Sequence, residues 1–317
     1  MMPSKPSRTK PKNKAKLANG WLDYSFEAIG TVWQVEVFEA LDEQHAVAIK
    51  DTIAKLIGEF DKNYSRFRAD SLVRQMAKQA GDYELPPDAQ PMFELYSQLY
   101  DLTEGAMTPL IGNTLEQAGY DADYSFKTSK LTTPPAWDDV MTYQAPVLNL
   151  QQPALLDFGA VGKGHLVDLV GKLLEEHHAK NFCINAGGDM LYRTSNSQKL
   201  EIGLEHPADP AQAIGVATIR NQSLCGSSGN RRTWGKKQTF HHIINPQTLS
   251  SPKHIRALWT VADNTLLADA LSTALFFVSA GKLQKDYTFE YAIIYDDDSL
   301  EHSADFPAIF FTNHDEA

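Results

Sequence analysis

DFGAVGKGHLVDLVGKLLEEHHAKNFCINAGGD, residues 157–189, is the stretch on which the fold of this 317-residue chain turns. Glycines at 159, 162 and 164 make a turn that lets the backbone approach another group closely and adopt positive φ. A short strand is predicted to end near Leu156, just before that turn. A helix follows, marked by Leu166, Leu169, Val170, Leu173 and Leu174 on its apolar face. Next come a strand over 181–185 and a second glycine turn, Ala186-Gly187-Gly188-Asp189. The helix N-terminus offers free N–H groups and a positive dipole end, which suit an anion, and Lys163 adds a full charge there. The spacing is neither that of a P-loop nor that of GxGxxG, so by itself it reads equally well as a tight strand-to-helix turn.

Outward from this unit, Trp33, Val35 and Val37 alternate with Gln34 and Glu36, which predicts paired strands over 24–38. Residues 44–63 read as a helix with Ile49, Ile53, Leu56, Ile57 and Phe60 on one face. A second helix is expected over 87–103, carrying Met92, Tyr96, Leu99 and Tyr100 and stopping at Gly105. Residues 121–152 hold many turn formers and read as loops and short strands. Further strands are expected at 200–204, 214–220, 257–262, 290–295 and 307–312, with an apolar helix over 266–278. Runs of strands broken by a few long helices predict an α+β fold with mixed, largely antiparallel sheets.

Bulk composition narrows the function. Hydrophobic residues make up 43% and charged residues 22%, an ordinary globular balance. A chain of this length buries a core without disulfides, and two isolated cysteines, Cys183 and Cys225, make no disulfide framework or zinc site. The net charge of -11 argues against a general nucleic-acid binder. An acidic protein that takes a phosphate-rich ligand needs local countercharge from a metal or a helix N-terminus. Residues 1–18 carry Lys5, Arg8, Lys10, Lys12, Lys14 and Lys16 and read as a disordered basic tail ahead of one domain, 19–317. No apolar run follows the tail and none reaches the ~18 residues of a membrane span. The expectation is a cytoplasmic protein.

Two more motifs carry chemistry. Asp269 and Thr273 lie four apart in the apolar helix, hence on one face, and both are hard oxygen ligands suited to Mg²⁺. A helix cap or polar helix edge is the competing explanation. His241 and His242 end a predicted strand, where neighbours face opposite ways, so at most one points into a given site. Histidine is the usual proton acceptor near neutral pH.

Taken in order, these segments resemble the FAD:protein FMN transferase (ApbE) family. Residues 157–168 are similar to D-L-G-G-I-A-K-G-x-x-x-D, and 185–189 to N-A-G-G-D. Residues 241–248 resemble H-H-I-I-D-P-R-T, and 268–275 resemble A-D-A-L-A-T-A-L. Weaker matches precede them: 29–31 to M-G-T, 65–71 to S-x-Y-x-x-x-S, and 105–120 to G-A-F-D-P-T-V-G-P-L-V-N-L-W-G-F. The resemblance covers roughly residues 20 to 312 and implies an FAD cleft between two lobes.

It also implies a reaction: FMN moves from FAD onto a threonine of a partner protein, with Mg²⁺ as cofactor and AMP released. The alternatives are an FAD pyrophosphatase giving FMN and AMP, and a flavin-binding module without catalysis. Residue by residue, Asp269, Thr273 and the carbonyl of Ala160 would ligate Mg²⁺, with Ser272 as a further ligand. Asp157 and Lys163 would contact FAD, and Ile29, Phe67, Ala106, Met107, Thr108 and Ile243 would line its pocket. His242 would be the base for the acceptor hydroxyl, with His241 the alternative.

The departures are specific. The family aspartate of F-D-P-T falls at Thr108, its stacking tyrosine at Phe67, and its S-G-D-Y-E-R at residues 228–233, where two acids are lost and a cation is gained. The lipoprotein signal common in the family is not seen.

Overall fold

Alternation along the strands builds three layers. In Ile255–Ala262, Leu258 joins the core under the helices, while Ala257, Trp259 and Val261 join a second core on the other side. Glu290–Tyr295 repeats the pattern, with Tyr291 and Ile293 on the first side and Ala292 and Ile294 on the second. Successive side chains of a strand point to opposite faces, so a sheet with both faces apolar must be covered on both.

The computed structural model describes the backbone of residues 14–18 and, in full, residues 21–229, 233–235 and 240–311. The central sheet has nine strands in the spatial order Lys14–Ala18, Trp21–Ala28, Thr31–Val37, Phe182–Ala186, Met190–Arg193, Ser223–Ser228, Ile255–Ala262, Glu290–Tyr295 and Leu300–His302. One face carries the helices Glu43–Tyr64, Ala89–Leu102, Gly162–Glu176 and Thr265–Ala274. The other face packs on a three-stranded sheet, in which Ala213–Ile219 lies between Ala308–Phe310 and Leu200–Glu205. A third sheet holds Gly81–Glu84, Val147–Leu150 and Met141–Gln144. Every strand pairing among the described residues is antiparallel, as expected of an α+β chain, and no parallel pair mixes in.

Several boundaries differ from the sequence expectation. Residues 153–158 form no strand; the Asp157 N–H bonds instead to the Pro109 carbonyl. The apolar helix ends at Ala274, and the run beyond it turns, which frees Phe277 to reach the cavity described below. Lys14–Ala18, expected within the tail, pairs along Trp21–Ala28, while residues 1–13 lie outside the described residues. Among the described residues no helix is long and apolar enough to cross a membrane.

The two helices that frame the site meet almost backbone to backbone. Asp168, in Gly162–Glu176, accepts from the N–H groups of Thr265 and Leu266, at 2.8 Å each, and so caps the start of Thr265–Ala274. This explains the aspartate closing the first motif: it satisfies orphan donors of a helix N-terminus. A Cβ on Gly164 would sit 2.3 Å from the Thr265 carbonyl oxygen and 2.6 Å from the Asp269 Cβ. Backbone cannot rotate away, so Gly164→Ala should cost about 3 kcal/mol by forcing the helices apart. For a chain of 317 residues that corresponds to a melting temperature lower by about 4–6 °C. Gly58→Ala is the control: it lies inside Glu43–Tyr64 with nothing within 4 Å. It should raise stability by about 0.5–1 kcal/mol. Thermal melts of the two variants check both statements.

Candidate active site

A cavity of about 510 Å³ lies between the main core and a separate aromatic cluster that includes Phe67, Tyr120, Tyr124 and Trp234. Its size is that of an ordinary small-molecule site. Ile29, Phe67, Ala106, Met107, Thr108, Asp157, Ala160, Lys163, His242, Ile243, Asp269 and Thr273 all line it. Segments more than 200 residues apart in sequence therefore converge on one space.

Each segment arrives by a local device. Ile29 and Gly30, at φ 41° and 76°, form the two-residue turn between Trp21–Ala28 and Thr31–Val37. Two consecutive positive φ values suit the twist of a hairpin, but a β-branched residue there is strained. The strain sits on the cavity wall, a place where such outliers gather in functional sites. Gly187, at φ 66°, presses on Thr31, whose Oγ1 would lie 2.0 Å from an added Cβ. Thr108 accepts from the Leu110 N–H and caps the short turn Pro109–Ile111.

One end of the cavity is charged. Lys163 pairs with the buried Asp189 and stands 4.0 Å from Asp269 Oδ1. Asp269 Oδ2 accepts from the Gly164 N–H at 2.8 Å. Burial pushes the Asp269 carboxyl above the usual carboxylate range, and Lys163 and the Gly164 N–H hold it back. Two carboxylates against one ammonium leave this end short of positive charge.

The residues present fit Mg²⁺ by donor chemistry. A carboxylate, the Thr273 hydroxyl and the Ala160 carbonyl are hard oxygens, and all three residues line the cavity. Among the described residues no cluster of three or more His, Cys, Asp or Glu side chains is gathered for a metal. Mg²⁺ usually takes one or two protein carboxylates and fills its remaining positions with substrate phosphates and water, so a donor set this small is compatible with it. Ser272 departs from the expectation. It is fully buried, does not line the cavity, and its hydroxyl is engaged with the Asp269 carbonyl at 2.7 Å and Ser227 at 2.9 Å. Three residues on from Asp269, it turns toward the sheet, whereas Thr273, four on, shares the Asp269 face.

The histidine pair separates as strand-like neighbours should. His241 is 4% exposed; its Nε2 is 2.7 Å from the Pro252 carbonyl, to which it donates, and its Nδ1 accepts from the Ile243 N–H. Both ring nitrogens of His241 are thus engaged with backbone groups. His242 faces the cavity.

Sequence reasoning missed Arg66, Asp189, Tyr120 and Tyr124 as site residues. Asp189 ends a motif already noticed, yet its tie to Lys163 is a tertiary contact. Arg66 had no signal beyond its neighbour Phe67. Of the S-G-D-Y-E-R equivalent, residues 230–232 lie outside the described residues.

Two buried histidines predict an acid limb in stability. Burial lowers the pKa of His165, whose Nε2–H donates to the Asp88 carbonyl at 2.8 Å, and that of His241. In the unfolded chain both titrate near about 6.5. The unfolded state therefore binds more protons below that value, and stability present above it is lost as pH falls toward the depressed folded values. The loss is up to about 1.4 kcal/mol per pH unit for each histidine. The buried Asp168 and Asp269 carboxyls, raised by burial, act in the opposite sense as pH falls through their raised folded values toward the ordinary carboxylate range. Melting temperatures from pH 7.5 down to 5.5 should fall, and His165→Gln should flatten the slope.

The sequence profile described as ApbE family matches residues 29–287. The FAD:protein FMN transferase of Haemophilus influenzae is 24% identical over 290 residues, spanning 82% of this chain and 82% of that protein. That of Treponema pallidum is 25% identical over 286 residues, spanning 80% and 78%. Among solved structures, the flavin transferase ApbE from Vibrio cholerae is similar at a TM-score of 0.73 and 17% identity, covering 92% of this chain and 99% of that one. The ApbE protein of Thermotoga maritima is similar at 0.76 and 18%, covering 90% and 97%. At these identities the structural likeness speaks for the fold.

Proposed function

Because this chain belongs to the ApbE family, we propose that it is a flavin transferase that takes FAD and moves its FMN half onto a threonine of an acceptor protein. The observation that carries the reading is one cavity that holds both an aromatic wall at Phe67, Tyr120 and Tyr124 and the charged side chains of Lys163 and Asp269, with Asp189 buried behind Lys163. A flat ring joined to a pyrophosphate needs both. The named relatives support the choice of substrate and product.

In the proposed reaction the threonine oxygen attacks the phosphorus of the FMN phosphate. The bond from that phosphorus to the bridging oxygen breaks, and the bridging oxygen leaves as part of AMP. The threonine proton passes to His242, which faces the cavity. Lys163 and the positive dipole end of Gly162–Glu176 offset phosphate charge. Asp269, Thr273 and the Ala160 carbonyl would hold Mg²⁺, which supplies charge neutralisation at the pyrophosphate.

Incubation of the purified protein with FAD and Mg²⁺, with and without a cell extract, tests the reading. The expected result is AMP release together with a fluorescent flavin band that survives denaturation. AMP with no labelled band would instead indicate a pyrophosphatase. No AMP under either condition would reduce the protein to a flavin-binding module.

A further inference from the structure

A second cavity, of about 490 Å³, has Val32, Gln34 and Trp259 in its lining. Val32 and Gln34 alternate along their strand with Trp33 and Val35, which belong to the core under the helices, while Trp259 belongs to the core on the other side. The space therefore lies on the face of the central sheet away from the helices. It meets the first cavity around the ends of the strands, where Thr31, Gly187, Gly226, Ser227 and Ser228 line both. Thr31 begins its strand, Gly187 directly follows Phe182–Ala186, and Ser228 ends Ser223–Ser228. Two glycines leave the junction short of side chains, so another backbone can pass close by.

One wall of this second cavity is a sheet edge. Among the described residues Leu200–Glu205 is a terminal strand of the three-stranded sheet, and its Ile202 and Gly203 line the cavity. Gly203 has no side chain, so what it presents there is backbone. A terminal strand carries, on alternate residues, N–H and C=O groups that its own sheet does not use. A chain laid along this edge would continue the small sheet over the outer face of Thr31–Val37. Val32 is 59% exposed on that face and sits beside the polar Gln34, a mixed floor suited to a partner that docks and leaves.

We propose that this groove docks the acceptor protein: an extended acceptor segment adds as a further strand to the Leu200–Glu205 edge and continues over the glycine junction, which carries its threonine to His242. This rests on the transferase reading above. In that reaction FAD takes the first cavity, so the acceptor has to reach His242 from an adjoining space, and this groove adjoins it through the shared residues at the strand ends. Strand addition draws affinity from main-chain hydrogen bonds and specificity from contacts with alternate side chains. Val32 supplies one such contact.

The protein in the flavin-labelled band, purified, is the acceptor for the test, and its labelled peptide gives the sequence around the threonine. A synthetic peptide of about 20 residues with that sequence leaves room for a strand of about six residues beside the threonine. The variant is Val32→Arg. Val32 does not line the first cavity, and the new side chain stands opposite Glu27, an opposite-charge pair that keeps the strand intact. Melting curves and solution mass accompany the kinetics. Val32→Arg should raise KM for the acceptor about 10-fold, the loss of one apolar contact, with AMP release from FAD alone unchanged. Unlabelled peptide should compete with the acceptor. N-methylation of its backbone should weaken that competition about 3- to 10-fold at alternate residues and little between them. A wild-type KM in Val32→Arg would overturn the groove, and an N-methylation pattern without alternation would overturn strand addition. If Val32→Arg acts only while residues 1–13 are present, or changes the solution mass from dimer to monomer, the groove belongs to the chain's own tail or to a second copy, and the proposal falls. Wild-type protein that releases AMP but labels no band would end the transferase reading itself.

Discussion

Asp269→Ala is expected to cut AMP release from FAD about 100- to 1000-fold, the effect of about 3–4 kcal/mol lost from transition-state charge stabilisation. FAD affinity should fall much less, because the aromatic wall at Phe67, Tyr120 and Tyr124 is untouched. Asp269 is 5% exposed and bonded to the Gly164 N–H, so its loss also leaves that donor unpaired. A stability cost of about 1–3 kcal/mol accompanies the kinetic one. Asp269→Asn separates the two. Its carboxamide oxygen still accepts from Gly164, so melting should stay near wild type while turnover remains low. Were Asp269 only a helix-edge residue, both variants would keep full activity in the folded fraction. AMP release measured beside thermal melting decides this, and a fully active Asp269→Ala protein would remove the proposed magnesium site.

The second large effect concerns the acceptor. His242→Ala should suppress flavin transfer to protein about 100- to 10,000-fold, the range lost with a general base. FAD hydrolysis should survive in part, since the Asp269, Thr273 and Ala160 oxygens are intact. The histidine beside it supplies the contrast. His241→Ala breaks contacts to Pro252 and Ile243 and should lower the melting temperature, with the folded fraction still transferring flavin. If instead His241→Ala abolished transfer and His242→Ala did not, the assignment of the base would be reversed.

Much of the site was legible because its chemistry is carried by residue types at short spacings. The glycine turn, the turn at 185–189, the histidine pair and the Asp269/Thr273 face each announce a local geometry before any fold is known. The long helices and the antiparallel α+β character were legible for the same reason, from periods of 3.6 and 2. Met190–Arg193 and Ser223–Ser228 were not, being short and carrying no clean alternation of burial. Both sides of the central sheet are covered there, so burial no longer tracks a polar face.

By itself, then, the sequence determined the local devices and the donor types: a turn feeding a helix N-terminus, a carboxylate and a hydroxyl on one helical face, and one histidine of two able to face a site. Tertiary structure alone decided which group meets which. It turned His242 to the cavity and His241 to the backbone, and it closed Ser272 against Ser227. It joined Arg66 to Asp157 across 91 residues and set Lys163 beside Asp189 and Asp269. Periodicity fixes the direction of a side chain relative to its own element, whereas contacts between elements depend on how those elements pack, and packing is a property of the whole chain.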